Sequence, residues 1–147
     1  IFCSKPTLGD DETALIIHRV ESSYLMLNLY PYTSGHLLIS PYDHLGRIQD
    51  IPADTTTEMM DIARLAMNRL EDVYKPQGFN VGFNQGSAAG AGIPGHIHMH
   101  VVPRWGGDTN FMPVLGATAV LSEALTDTAA KLRSELSRLS SGAPAFS

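Results

Sequence analysis

The residues of this chain best suited to chemistry are three histidines at alternate positions, His96, His98 and His100. Apolar residues separate them, so on a strand the three imidazoles would share one face while Ile97 and Met99 point into a core. Neutral imidazole is a nucleophile near pH 7 and also a common metal ligand. The run therefore predicts either a site for phosphoryl or nucleotidyl transfer or a metal held by histidines.

Spacing alone leaves three interpretations of the run open. In the first, His98 attacks phosphorus while its neighbours donate hydrogen bonds to the phosphoryl oxygens or protonate the leaving group. In the second, the three histidines ligate the metal of an oxygenase, although such sites usually draw ligands from separate strands and include a carboxylate. In the third, the chain is a sensor that binds a nucleotide without turning it over.

The elements that must position these histidines follow from hydrophobic periodicity. Five runs predict strands, near residues 15–20, 24–29, 36–40, 79–84 and 96–103. Two amphipathic stretches predict helices, over 55–75 and 122–139. The fold class is therefore predicted as α+β, an antiparallel sheet of about five strands with two main helices packed on it.

The first of these helices also predicts an assembly. A capping box is expected at its start, from Thr55 to Glu58, and Pro76 is expected to end it. With Met60 and Met67 included, its apolar arc spans roughly 160° at about 100° per residue, more than one packing surface needs. We therefore expect a homodimer.

Composition narrows the class of protein. The 147 residues fit a single domain over 1–147, with a Ser/Gly/Ala/Pro-rich tail from about residue 140 that we expect to be flexible. The net charge is −5 and the ten Lys and Arg are scattered, which argues against a nucleic-acid polymer as partner. We expect no membrane span and no secretory signal. One cysteine excludes an internal disulfide and suits a cytoplasmic location.

The histidine run also resembles a known family. Residues 96–102, His-Ile-His-Met-His-Val-Val, match the pattern of the histidine triad (HIT) family, in which apolar residues separate and follow three histidines. The resemblance continues in Asn28–His36, in Gly78–Gly86 and in Val101–Phe111. The last segment most resembles bacterial diadenosine tetraphosphate phosphorylases and related hydrolases. A HIT-like fold, with two sheets joined edge to edge in a dimer, is implied.

The resemblance also implies catalytic roles. His98 falls where the family has its nucleophile, which forms a covalent nucleotidyl-histidine, and His100 where it has the contact to the scissile phosphate and leaving group. His96 would orient the site. His36 matches a supporting fourth histidine, and Asn28 a ribose contact. A local partner for His36 and turn chemistry for Asn28 are the simpler alternatives.

The loop before the triad is implied to bind nucleotide. Small residues allow the backbone N–H groups of Gly86–Gly92, including Ala91, to approach phosphates closely. Gln85 lies where related hydrolases carry a phosphate-contacting Gln, and Asn84 could take that role. Those hydrolases also carry a Gln where this chain has Gly92, which leaves the acceptor open between water and phosphate.

A contact to the nucleotide base and a structural metal site are also expected. Trp105 could stack on a base, with plain packing as the alternative. Many bacterial HIT proteins hold a structural zinc through a Cys-x-x-Cys motif, a later histidine and the first triad histidine. Cys3, His44 and His96 match three of these four ligands, and the fourth would precede Ile1.

The function predicted is that of a nucleotidyl hydrolase or transferase. It would cleave dinucleoside polyphosphates or related nucleotide conjugates at the α-phosphate, with water or phosphate as acceptor. No cofactor is expected for the chemistry itself, and zinc would be structural. The expected partners are the nucleotide substrate and a second copy of the chain.

Overall fold

The structure is a computed structural model that describes residues 1–108 and 123–140, with side chains as far as residue 137. Residues 109–122 and 141–147 lie outside it, and with them the expected tail and the end of the Val101–Phe111 segment. No helix in the described ranges is long and apolar enough to cross a membrane.

The strands and the two long helices follow one another along the chain in the predicted order. The strands are β1 (Ile16–Arg19), β2 (Ser23–Leu27), β3 (Leu37–Pro41), β4 (Gly78–Phe83) and β5 (Met99–Arg104). The helices are α1 (Asp11–Ala14), α2 (Ala53–Tyr74) and α3 (Leu125–Ser140). The predicted α+β class, with its two main helices, is confirmed.

The five strands form one antiparallel sheet in the order β1-β2-β3-β5-β4. The last of the described strands in chain order, β5, thus lies between β3 and β4. In its register Leu38 opposes His100 on one side, and Gly82 opposes His100 on the other. The second half of the histidine run is therefore in the interior of the sheet, with a neighbouring strand on each side.

The two faces of the sheet are buried differently. One face packs against α2 and α3, and residues alternating along the strands, such as Leu25, Ile39, Met99 and Val101, belong to that core. The other face carries a smaller apolar cluster that includes Phe2, Tyr24, Met26 and Leu38. The histidines lie on this second face, because strand alternation directs them away from Met99 and Val101.

Helix α2 begins earlier than the capping-box motif predicts. Its N-cap is Pro52, without a side-chain cap, and Thr55 is buried inside the first turns. Glu58 instead accepts hydrogen bonds from the Ser22 N–H at 3.1 Å and the Ser23 hydroxyl at 2.6 Å. The capping-box prediction is wrong because Glu58 fastens the β1–β2 turn to the helix.

The triad strand also differs from its predicted bounds. The ladder of β5 begins at Met99, so His96 and His98 precede it on an irregular segment. The Ile97 N–H donates to the Leu45 carbonyl oxygen at 2.6 Å and anchors this segment outside the ladder. Alternation nevertheless persists, since Ile97 is 2% exposed in the main core while His96 and His98 are buried on the other face.

Candidate active site

His98 has a hydrogen bond that determines where its ring hydrogen lies. Its Nδ1 is 2.9 Å from the carbonyl oxygen of His96. A carbonyl can only accept, so Nδ1 carries the hydrogen and Nε2 keeps an unprotonated lone pair. Burial lowers the pKa of His98, which favours this neutral form. The ring is thus prepared as a nucleophile at Nε2.

A second hydrogen-bond chain fixes the ring of His100. The Tyr32 N–H donates to His36 Nδ1 at 3.1 Å, so neutral His36 carries its hydrogen on Nε2. That Nε2–H lies 3.0 Å from His100 Nδ1 and donates to it. His100 therefore carries its own hydrogen on Nε2, where it is a donor suited to a phosphoryl oxygen.

Burial keeps this pair of histidines neutral. It lowers the pKa of His36 to about 4, with smaller contributions from His100 and His98. It likewise lowers the pKa of His100 to about 4. A neutral His100 near pH 7 donates a hydrogen bond but holds its proton strongly, which fits a phosphate contact better than a general acid.

Asn28 shows the turn chemistry that was the simpler alternative, and its side chain also lies at the candidate site. Its Oδ1 accepts from the Tyr30 N–H at 3.0 Å, which is turn chemistry. Its Nδ2 is directed toward His36 Nδ1 at 3.3 Å, and the residue also lines the cavity beside His98. The turn thereby holds an amide at the edge of the site and helps to orient His36.

Beside His98 lies a cavity of about 410 Å³. Its apolar lining comes from the N-terminal segment, β2, β3 and the loop before the triad, and includes Phe2, Met26, Leu38 and Ile93. Asn28, His98 and His100 stand at its polar side. An apolar pocket with a few convergent polar groups is what a nucleoside next to a reactive phosphate requires. We call this space the nucleoside cavity.

The glycine-rich loop reaches the nucleoside cavity with only some of its residues. Gly90 and Gly92 line the cavity, and a Cβ added to Gly92 would meet nothing within 4 Å. The Ala91 N–H is instead bonded to the Gly86 carbonyl oxygen at 3.2 Å. In this conformation Ala91 shapes the loop, and its amide is engaged within it.

Of the three other side chains predicted to contact the nucleotide, only one lies at the nucleoside cavity. Asn84 lines the nucleoside cavity, but neither Gln85 nor Trp105 is among its lining residues. The Gln85 Oε1 accepts from the Ile48 N–H at 2.8 Å, and the Trp105 N–H donates to Asp108 Oδ2 at 3.0 Å. The structure therefore brings Asn84 to the histidines and holds the other two elsewhere.

Two aromatic residues at the site were missed by sequence reasoning. The ring of Phe2 lies 4.5 Å, centroid to centroid, from that of His98, and Phe2 is only 3% exposed. Tyr32 lies over His36 at 4.7 Å and stacks with His100 at 6.3 Å. A lone N-terminal Phe and a turn Tyr carry no periodic signal, so only the folded chain brings them to the histidines.

The first triad histidine belongs to a different group. His96 Nε2 lies 3.0 Å from the Pro41 carbonyl oxygen and donates to it, so its Nδ1 is unprotonated. Cys3 Sγ is 3.4 Å from that Nδ1 and 3.1 Å from the Nδ1 of His44. Tetrahedral zinc with one sulfur and one imidazole ligand places these atoms about 3.6 Å apart, so the three residues fit a zinc site.

This grouping also bears on the oxygenase interpretation. In the described ranges, the cluster of metal-ligand side chains is Cys3, His44 and His96, and it includes one triad histidine rather than three. His98 and His100 direct their Nδ1 atoms into hydrogen bonds with His96 and His36. The arrangement favours the nucleophile interpretation of the triad.

Residues 10–107 match the HIT domain family. This chain belongs to that family. Among characterised HIT relatives, an AP-4-A phosphorylase of Mycobacterium tuberculosis is 40% identical over 137 residues, which are 93% of this chain and 70% of that protein. A bis(5'-nucleosyl)-tetraphosphatase of Schizosaccharomyces pombe is 29% identical over 60% of this chain and 48% of its own length.

Solved structures of HIT proteins share the fold. A zinc-bound histidine triad family protein from Mycobacterium smegmatis superposes with a TM-score of 0.71 at 27% identity, covering 86% of each chain. A hypothetical histidine triad nucleotide-binding protein from Sulfolobus tokodaii gives a TM-score of 0.74 at 26% identity, covering 94% of this chain and 92% of that one. The HIT-like sheet expected from the resemblance is confirmed.

Proposed function

We propose that this HIT protein is a nucleotidyl hydrolase or transferase that cleaves dinucleoside polyphosphates or related nucleotide conjugates at the α-phosphate. The observation that carries the proposal is the Nδ1–H of His98 bonded to the His96 carbonyl oxygen, which leaves Nε2 as the reactive atom beside an apolar cavity. The AP-4-A phosphorylase and tetraphosphatase relatives support this substrate class.

The first step forms one bond and breaks one. His98 Nε2 attacks the α-phosphorus, and the electron pair of the breaking P–O bond departs with the leaving group, which for diadenosine tetraphosphate is ATP. The His98 ring becomes cationic, and its Nδ1–H bond to the His96 carbonyl strengthens. A polyphosphate oxygen is a weak base, so it leaves without the proton that neutral His100 retains.

His100 acts on the phosphate rather than on the leaving proton. Its Nε2–H, fixed by the chain from Tyr32 through His36, donates to a nonbridging oxygen where negative charge accumulates. In the second step an oxygen of the acceptor bonds to the α-phosphorus, the P–Nε2 bond breaks and its electron pair returns to His98. When the acceptor is water, its proton passes to the solvent. No cofactor takes part in either step.

The acceptor decides between hydrolase and phosphorylase. Gly92 leaves open space where related hydrolases carry a glutamine, and the 40% identical relative is an AP-4-A phosphorylase. We therefore expect inorganic phosphate to act as acceptor. The test is an assay of diadenosine tetraphosphate with and without phosphate, using His98→Asn as control.

The products of that assay separate the outcomes. Phosphorolysis gives ADP and ATP, whereas hydrolysis gives AMP and ATP. AMP in place of ADP in excess phosphate would identify a hydrolase. Tight nucleotide binding without any turnover would identify the sensor and overturn the proposed activity.

The zinc site is part of this proposal. Cys3, His44 and His96 would hold the metal, which would fasten the N-terminal segment, with Phe2, onto the triad. Cys3 must stay reduced to bind metal, which agrees with a cytoplasmic location. Zinc would stabilise the fold, so a chelator is expected to lower Tm before nucleotide binding is lost.

The matched control for zinc is His44→Ala. This variant should be less stable than the parent and should no longer respond to chelator. Metal analysis of the purified protein should find one zinc per chain. A zinc-free preparation with an unchanged Tm would exclude the site.

A further inference from the structure

We propose that a second cavity, on the other side of His100, binds the leaving nucleoside of a dinucleoside polyphosphate. This inference rests on the proposed function and names the part of the substrate that the nucleoside cavity does not hold. The second cavity has a volume of about 540 Å³. We call it the leaving-group cavity.

Strand alternation builds the leaving-group cavity on the same sheet face as the triad. Along β5, the residues after His100 on this face are Val102 and Arg104. On the neighbouring strand β4, Gly82 lies opposite His100 and Asn80 lies opposite Val102. All five residues line the cavity.

The two cavities meet at three shared residues. Tyr32, Asn84 and His100 line both of them, whereas His98 lines only the nucleoside cavity. In an in-line displacement, the leaving oxygen departs on the side of phosphorus opposite the nucleophile. With the phosphate at His100, that direction leads away from His98 and toward the leaving-group cavity.

Glycine keeps the entrance to this cavity open. Gly82 lies opposite His100, and a Cβ added there would meet nothing within 4 Å. Any larger side chain at this position would project into the space beside His100. Glycine at position 82 therefore leaves the space beside His100 unfilled.

The charges of the cavity favour a nucleoside over a bare phosphate chain. Arg104 is paired with Asp108 through two hydrogen bonds, at 2.6 and 2.7 Å, so the two charges largely cancel. Arg104 also donates a hydrogen bond to Asn80 Oδ1. The oxygen of this side-chain amide is therefore engaged, and its Nδ2 group is the part that can donate to a ligand. The Asn80 amide, the apolar Val102 side chain and the open space at Gly82 suit a neutral base or ribose.

The same space must also admit the acceptor. The second displacement is in line as well, so water or phosphate reaches the nucleotidyl-histidine from the side that the leaving group has vacated. The leaving nucleotide and the acceptor therefore use the leaving-group cavity in turn. ATP released by the first step should compete with phosphate for the second.

The test compares two ligands that differ only in the second nucleoside. Diadenosine tetraphosphate and adenosine 5'-tetraphosphate are titrated into His98→Asn protein, which binds without turnover. We expect the dinucleotide to bind at least tenfold more tightly. Adding Gly82→Leu should abolish this preference by weakening only the dinucleotide.

The matched control is Gly78→Leu. Gly78 lies on the same strand and face, and its added Cβ also meets nothing within 4 Å, but it does not line the cavity. This variant should keep the tenfold preference. Both glycines have ordinary φ values, so neither change strains the backbone.

Each other outcome has a definite meaning. Equal affinity for the two ligands in the unsubstituted His98→Asn protein would overturn the leaving-group cavity, and so would an equal weakening of both ligands by Gly82→Leu. Absence of turnover by the wild-type protein would instead reject the proposed activity. The binding preference would still decide the inference in that case, because it requires no chemistry.

Discussion

At the scale of single residues, the reactivity of this site depends on which ring nitrogen of each histidine carries the hydrogen. Backbone groups set both relevant rings, the His96 carbonyl for His98 and the Tyr32 amide, through His36, for His100. Backbone positions are fixed by the fold, so the tautomers are present before substrate binds. Such preorganisation lowers the barrier without reorganisation during the reaction.

Replacement of His98 by Asn should remove the nucleophile while retaining polarity and much of the volume. Nucleotide binding is expected to survive while kcat falls by several decades, roughly 10³-fold or more, as for an interaction made only in the transition state. Equilibrium binding and single-turnover rates measure the two effects. His100→Asn should cost less, because a phosphate contact is partly replaced by solvent.

A covalent adduct provides the independent check on His98. Wild-type protein quenched with acid-free denaturant during turnover should yield a nucleotidyl group on the peptide containing this residue. Near-wild-type turnover by His98→Asn, or an adduct on another peptide, would contradict the assignment.

His36 should make stability depend on pH. Unfolded His36 has a pKa near 6.5, while the folded value is about 4, so the unfolded chain alone binds this proton between the two values. The stabilisation is complete above pH 6.5 and is lost as the pH falls toward 4. Between pH 7 and pH 5 this one group should lower the free energy of unfolding by about 2 kcal/mol.

The measurement is urea unfolding of wild type and His36→Gln at both pH values. The groups that face His36 are Asn28, Tyr32, His98 and His100, and they remain in the variant. The wild type should lose more stability than the variant on acidification. Equal losses in the two proteins would mean that His36 is protonated in the folded state.

Residue types and spacing predicted the triad but not its surroundings. The alternation of His96, His98 and His100 with apolar residues is local information, and the structure retains it. The destination of Gln85 depends on the backbone N–H of Ile48, which donates to its side-chain oxygen from 37 residues away. Such a long-range partner leaves no trace in local spacing.

At the scale of elements, the spacing of apolar residues was sufficient to predict which segments are helices or strands and in what order they occur. Apolar positions in α2 such as Met59, Ile62 and Leu70 are buried, and Ala129 and Leu132 are buried in α3. The bounds were less predictable because tertiary contacts decide them. Glu58 serves the Ser22–Ser23 turn rather than the helix start, and the Leu45 carbonyl holds Ile97 outside the ladder of β5.

The turn between β2 and β3 should be sensitive to a single methyl group. Gly35 has φ +79°, and a Cβ there would lie 2.8 Å from Leu70 Cδ2 of α2. Gly35→Ala combines backbone strain with a clash and should destabilise the fold by roughly 2–4 kcal/mol. Because His36 is adjacent, activity should fall as well. Urea unfolding and turnover rates measure the two losses.

Gly9→Ala is the matched control for this turn. Gly9 has a similar φ of +70°, but an added Cβ meets nothing within 4 Å. It should show only the strain, about 1–2 kcal/mol, with normal activity. Equal destabilisation by the two changes would mean that the Leu70 side chain moves aside with no loss of stability.

At the scale of the whole molecule, the sheet has an edge suited to a second copy. In the described sheet β4 is an edge strand of six residues that pairs with β5, and Val81 on it is 40% exposed. A sheet edge of this length is a template for strand pairing. Met60 of α2 is 46% exposed, which leaves apolar surface for a partner to cover.

The expected homodimer can be tested by light scattering. A chain of 15.9 kDa should give a particle of about 32 kDa at micromolar concentration. Val81→Lys places a charge on the β4 edge and should shift the population toward monomer. Glu21→Lys changes the charge on the exposed turn after β1, at the opposite edge of the sheet, and should not. A wild-type mass near 16 kDa would contradict the dimer.

The place of β5 in the sheet also sets the order in which activity can arise during synthesis. Translation releases the chain from its N-terminus, so β1 to β4 emerge before the strand that separates β3 from β4. Until β5 follows, the emerging chain can pair β1, β2 and β3, and β4 waits for its neighbour. His98 immediately precedes β5 and His100 lies within it. A nascent or C-terminally truncated chain that ends before His98 therefore lacks both the nucleophile and the strand that completes the sheet beside it, so it cannot carry out partial chemistry on the nucleotide pool.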